Sequence, residues 1–279
     1  MKVGLYDSGL GGLSVLNEMI RCYPDAEYVY FGDSARAPYG EKSEEELTKY
    51  VYEIFDFMQD QNVDCVISAC NTSSMFLHKM DLSQYSFKVI SLFDVMKEFF
   101  DKSIADCSVC TRYEYRTQIK PETKLALLAT PSNIDMKRYE DWGLNIHPLK
   151  CPKLVPLVES GNLEEAKKEF ENYLSELADD IENVIVGCTH YSFLTPEKSR
   201  FEFIDPARVL VWSEAVDQLF SAERPEGSGP VIEAESVPEL YCSGDIVKFK
   251  TIAEKLLANY QAEYFQLSLG TKPKLSLVK

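Results

Sequence analysis

Val66-Ile67-Ser68-Ala69-Cys70-Asn71-Thr72-Ser73 and Val184-Ile185-Val186-Gly187-Cys188-Thr189-His190-Tyr191 follow one pattern. Each is a short apolar run that ends in a small residue, a cysteine and a polar residue. Such an echo is expected if two similar halves each present a cysteine at the carboxyl end of a central strand. In open parallel sheets that edge is where ligands bind.

Working outward, further β-rich runs cover Lys2 to Tyr6, Tyr28 to Phe31, Lys88 to Leu92, Leu125 to Ala129, Arg208 to Val211 and Glu239 to Cys242. Helical patterns separate them. Ser43 with Glu46 reads as a capping box ahead of Leu47, Val51, Ile54, Phe55 and Met58, and Asn162 with Glu165 as another ahead of a run to Ala178. Ile246 to Tyr260 closes the pattern. Strands that alternate with helices predict an α/β fold, a mostly parallel sheet with crossover helices. Asp101 to Thr123 lacks periodicity and reads as an irregular insertion, with a change of domain near residues 95 to 100. Ala222 to Pro230 reads as a loop.

Among the 279 residues, 29 Lys and Arg stand against 45 Asp and Glu, a formal net charge of −16 with no basic cluster. That excludes a protein that grips nucleic acid or an anionic membrane by charge, and points to small-molecule or protein partners. Hydrophobic residues at 45% and charged residues at 27% exclude disorder as the main state. The longest apolar runs fall far short of a membrane span and no secretory leader opens the chain, so a cytoplasmic location is expected. The eight cysteines then read as reduced thiols, most of them small core residues.

Cys70 and Cys188 are set apart by their place. A cysteine between a strand end and a helix start sits where helix N–H groups favour thiolate, which predicts a lowered pKa. Two thiols across a cleft suit proton transfer to and from opposite faces of a carbon, which is racemisation or epimerisation. Each needs a polar neighbour to tune it. Asp7 and His190 are the candidates, although a strand-end Asp is as readily a helix cap for Leu13 onward. Gly9, Gly11 and Gly12 let the backbone approach a ligand, but G-x-G-x-x-G fails beyond Gly11, and no phosphate loop is present. Pro38-Tyr39-Gly40, Asn71-Thr72-Ser73 and Thr189 offer hydroxyls, an amide and backbone donors suited to a small carboxylate. Cys107-x2-Cys110 and His147-x3-Cys151 have zinc-like internal spacings, but the interval between the pairs is long and no metal is expected.

These residues resemble a known family, the bacterial glutamate racemases of the aspartate/glutamate racemase superfamily. The likeness rests on Asp7-Ser8-Gly9-Leu10-Gly11-Gly12, on Gly32-Asp33 with Pro38-Tyr39-Gly40, and on Ala69-Cys70-Asn71-Thr72. Cys151-Pro152 through Glu159, Gly187-Cys188-Thr189-His190-Tyr191 and, more weakly, Ser243-Gly244-Asp245 continue it in family order. The resemblance implies two α/β domains with the active site between them, residues 1–97 plus 210–279 and residues 98–209. It implies Cys70 and Cys188 as the two bases, Asp7 assisting Cys70, and His190 with Glu159 assisting Cys188. Ser8, Pro38, Tyr39, Gly40, Asn71, Thr72, Thr130 and Thr189 would hold the substrate. It further implies glutamate as substrate, no cofactor, D-glutamate for peptidoglycan as product, and a homodimer. Ser91-Leu92-Phe93-Asp94, Ala129 and Ser192 depart from the family pattern. A racemase of another acidic amino acid and an amino-acid-binding regulatory protein stay open as alternatives.

Overall fold

The computed structural model describes residues 1–105, 119–220, 236–257, 260–267 and 276–277. Within them the strands are β1 (Lys2–Asp7), β2 (Glu27–Gly32), β3 (Cys65–Ser68), β4 (Lys88–Ser91), β5 (Lys124–Ala129), β6 (Asn145–Lys150), β7 (Asn183–Val186), β8 (Glu202–Ile204), β9 (Glu239–Cys242), β10 (Glu263–Gln266) and β11 (Ser276–Leu277). They form two sheets, one in the order β11-β10-β9-β2-β1-β3-β4 and one in the order β6-β5-β7-β8. All pairings are parallel except that of β11 on its edge. The expected α/β architecture of two parallel sheets with flanking helices is what the chain adopts.

Register places the carboxyl ends level. Asp7 lies opposite Gly32 and Tyr6 opposite Ser68, while in the second sheet Leu128 lies opposite both Leu149 and Val186. Chain order reverses at β1 and again at β5, so each sheet has a crevice beyond those strands where its crossovers part. Val3 to Asp7 are all buried, as are Leu125 to Ala129. Strands covered on both faces have no solvent side, which is why their sequences read as continuous apolar runs.

The helices are α1 (Leu13–Cys22), α2 (Glu44–Asp60), α3 (Asn71–Ser74), α4 (Leu92–Ala105), α5 (Pro131–Asp135), α6 (Leu154–Glu159), α7 (Leu163–Ser175), α8 (Pro206–Val211), α9 (Glu214–Asp217) and α10 (Ile246–Leu256). Leu13, Leu16 and Ile20 recur at helical spacing on the buried face of α1. The capping box of α2 forms: Glu46 N donates to Ser43 Oγ at 3.2 Å, and Ser43 N donates to Glu46 Oε2 at 2.9 Å.

Four expectations need correction. Arg208–Val211 lies in helix α8, not in a strand; Pro206 fits its first turn and Asp205 caps it, accepting from Ala207 N at 2.9 Å. Asn162 makes no side-chain cap, and α7 stops at Ser175, with Glu164 and Glu165 favouring its amino end instead. Asp101 to Ala105 are the last residues of α4 rather than irregular chain. Asp7 is not the cap residue of α1, since Gly12 stands immediately before that helix, although the Gly12 N–H does favour the Asp7 charge. The remainder of the expected insertion up to residue 118, and the Ala222 to Pro230 loop, lie outside the described residues.

Candidate active site

The carboxyl edges of both sheets open on a single cavity of about 850 Å³. Every residue expected at the site lines it. Asp7 and Ser8 come from the end of β1, Pro38, Tyr39 and Gly40 from the turn after β2, and Cys70, Asn71 and Thr72 from the end of β3. From the second sheet come Thr130 after β5, Glu159 at the end of α6, and Cys188, Thr189 and His190 after β7. The two cysteines thus reach one space from different sheets.

Cys188 belongs to a relay. Its Sγ lies 3.5 Å from His190 Nδ1, and His190 Nε2 lies 2.6 Å from Glu159 Oε1. Burial by itself would push the imidazole down. The Cys188 sulfur and the Glu159 carboxylate outweigh it and hold His190 well above its ordinary value. Burial also works against the Glu159 charge, but His190 and the N–H of Leu10, which donates to Oε1 at 2.7 Å, hold this carboxyl below its ordinary value. Glu159 ends α6, where the helix dipole disfavours an acid, so its place there answers to these partners and not to the helix.

Cys70 has a different environment. Burial and the nearby Asp7 charge push its thiol up to about 11, partly offset by donors from Ser73 and by the Ser8 hydroxyl, which lies 3.8 Å from Sγ and can donate to the thiolate. The expected lowering by a helix terminus does not occur here, because α3 has only four residues and cannot outweigh that burial. Asp7 is itself raised, burial being the leading cause and His190 opposing it. Its Oδ1 accepts from Gly9 N at 2.9 Å and its Oδ2 from Thr189 Oγ1 at 3.3 Å.

The polar groups around the thiols divide by what they leave free. Thr72 Oγ1 donates to Asn133 Oδ1 at 2.9 Å and Thr189 Oγ1 donates to Asp7, so both hydroxyls keep lone pairs for an ammonium group. Asn71 is buried and its Nδ2 has no partner among the described residues, which leaves a donor able to meet a carboxylate. Tyr39 Oη donates to Asp33 Oδ2 at 2.6 Å, which commits its hydrogen elsewhere. A Cβ at Gly9 would run into Glu159, and one at Gly11 into His190 Nδ1, so both positions need glycine for the halves to close.

Several lining residues were not legible beforehand. Asn133, one turn into α5, joins Thr72 of the first half to Gly187 O of the second, at 2.9 and 3.5 Å. Lys248 is the one Lys or Arg among the described lining residues. Of the zinc-like residues, Cys107 and Cys110 lie outside the described residues, His147 is exposed on β6, and Cys151 is buried. Among the described residues no three His, Cys, Asp or Glu gather as a metal site, and no helix is long and apolar enough to cross a membrane.

No family model matches the chain. Individual relatives do: it is 32% identical over 269 residues to the glutamate racemase of Thermoanaerobacter sp. (strain X514), covering 91% of this chain and 92% of that one. The chain belongs to the glutamate racemase family. It is an enzyme of the isomerase class on that membership. Among solved structures it is similar to a glutamate racemase isoform from Bacillus anthracis, with TM-score 0.73 and 25% identity over 97% of this chain and 98% of that one. It also shares the fold of the Francisella tularensis glutamate racemase in complex with D-glutamate, at TM-score 0.71 and 23% identity over 97% and 98% of the two chains.

Proposed function

We propose that this racemase interconverts L- and D-glutamate by passing a proton between substrate and two thiols, Cys70 and Cys188. One observation carries the reading: the two cysteines come from the strand ends of different sheets and line one cavity. In each direction one sulfur, as thiolate, takes the α-proton and becomes a thiol. The electron pair left on the α-carbon then takes a proton from the other sulfur, which becomes the thiolate, so the two exchange roles with every turnover.

The neighbours fit that exchange. Asp7, close to Cys70 and raised by burial, can take the thiol's proton when Cys70 must act as base. His190, held towards its cationic form by Cys188 and Glu159, favours the Cys188 thiolate when that sulfur must act as base and can return a proton to it. Carbanion character at the α-carbon is stabilised by donors fixed around the carboxylate before the proton moves, and Asn71 Nδ2 and the backbone N–H of Gly40 are suited to that task. Ser8, Thr72 and Thr189 present oxygens to the ammonium group, and Thr130 lines the same cavity. On this reading the thiols and their neighbours supply both proton steps and no cofactor is needed. The protein then works in the cytoplasm as a homodimer and provides D-glutamate for peptidoglycan.

The test is proton NMR of L-glutamate, and separately of D-glutamate, with the purified chain in deuterated water and nothing added. Loss of the α-proton signal with growth of the opposite enantiomer is expected from both sides. Exchange of aspartate without glutamate would change the substrate, and no exchange of either would sink the two-thiol mechanism.

A further inference from the structure

Asp33 follows β2, is fully buried, and is not among the residues that line the cavity. Its carboxylate nonetheless takes three short side-chain bonds. Tyr39 Oη and Arg36 Nε each donate to Oδ2 at 2.6 Å, and Ser243 Oγ donates to Oδ1 at 2.6 Å. Its N–H donates to the Asp7 carbonyl at 2.9 Å. A carboxylate so far from water persists only where its partners satisfy it, and here the partners come from separate pieces of chain.

Arg36 and Tyr39 belong to the turn of residues 34–41, and Ser243 to the turn after β9. Both turns wall the cavity, the first through Pro38, Tyr39 and Gly40 and the second through Gly244. They are also tied to each other. Ala35 N donates to Ser243 Oγ at 3.0 Å, and Gly244 N donates to Ser34 Oγ at 3.2 Å. From outside, Arg36 is held by Glu53 of α2 and lies over the Tyr50 ring at 4.0 Å from its centroid. Without the Asp33 carboxylate, Tyr39 Oη and Arg36 Nε would each lose their short acceptor, and the two turns would lose their shared anchor.

We propose that Asp33 is a positioning residue that touches no substrate and sets the shape of the 34–41 turn, so that Tyr39 and Gly40 meet the ligand in one fixed arrangement. Its use in catalysis rests on the glutamate reading above; the clamp itself does not. A merely structural anchor would lower stability and leave the binding of glutamate by the folded protein untouched. A positioning residue acts on KM.

Asp33→Asn keeps the shape and removes the charge. In the substrate-free full chain, backbone amides of residues 34–41 are expected to exchange with deuterium ~10-fold faster or more, while those of β1 and β3 stay unchanged, as loss of bonds to a charged group would give. In the racemase assay KM for glutamate is expected to rise ~10–100-fold with kcat within about threefold of the parent. Tyr39→Phe and Ser243→Ala each remove one donor and give smaller rises. Asp33→Asn combined with Tyr39→Phe is expected to be no worse than Asp33→Asn alone, because both break the same contact. Unchanged protection of residues 34–41 in Asp33→Asn overturns the proposal, as does a fall in kcat with KM unaltered. If Asp33→Asn does not fold, Tyr39→Phe and Ser243→Ala carry the same two measurements. If the parent protein fails to interconvert glutamate, the substrate reading falls and the exchange measurement still decides on the clamp.

Discussion

Cys70 and Cys188 sit in unlike surroundings, one beside a buried carboxyl and the other against an imidazole. On the two-thiol reading neither can stand in for the other, since each serves one face of the α-carbon. Cys70→Ala and Cys188→Ala are each expected to lower racemisation by ~10²–10⁴-fold or more, the range for loss of a positioned acid or base. Circular dichroism of both variants should match the parent, because each change removes one sulfur from a cavity wall. Undiminished turnover in either variant would exclude the mechanism. Gly11 offers a second test at the same scale. A methyl there meets His190 Nδ1 and the Thr189 hydroxyl, both buried, so Gly11→Ala is expected to cost ~1–3 kcal/mol in urea unfolding through overpacking. Gly40→Ala meets chiefly the Ser132 hydroxyl, the end of a side chain that can turn away, and should cost less.

At the scale of elements, α8 separates what was legible from what was not. Val209, Leu210 and Val211 are all buried, and a short buried apolar run has the same composition in a helix and in a strand. Asp205-Pro206 just ahead of it was the available signal, a cap followed by a residue that fits only the first turn of a helix. Asp205 also accepts from Ser192 Oγ at 2.8 Å, so Asp205→Ala removes a cap and strands a hydroxyl; a loss of about 1–2 kcal/mol in thermal or urea unfolding is expected. The strand ends that carry Cys70 and Cys188 were readable because a polar motif after an apolar run marks the functional edge of a parallel sheet. β6 was missed because Asn145 to Lys150 is mostly exposed and mixes His, Pro and Lys into its pattern. Asn133 was missed for another reason: its role depends on Thr72 lying opposite, a contact between distant parts of the chain that local sequence does not display.

In the whole molecule, one apolar core runs through both halves, and polar ties around the cavity join them as well; Glu159, paired with His190 of its own half, makes one of these ties to Leu10 N. The Glu159 and His190 pair has a pH window set by its two members. His190 is raised above its ordinary 6.5, so its contribution to stability is full below that value and fades as pH climbs through the higher folded value. Glu159 is lowered from 4.5, so its contribution is full above that value and fades as pH falls through the lower folded value. Both are in place together between 4.5 and 6.5. Glu159→Gln keeps an acceptor for Leu10 N but loses the charge, so the gap in melting temperature between parent and variant should be widest in that window. It should narrow in strong acid and again in alkali. The same loss lets the His190 pKa fall, which moves the alkaline limb of kcat/KM to lower pH if the imidazolium is the working form. A gap independent of pH would mean that Glu159 acts through shape alone, whereas a shifted rate profile with an unchanged gap would confine its charge to the chemistry at Cys188.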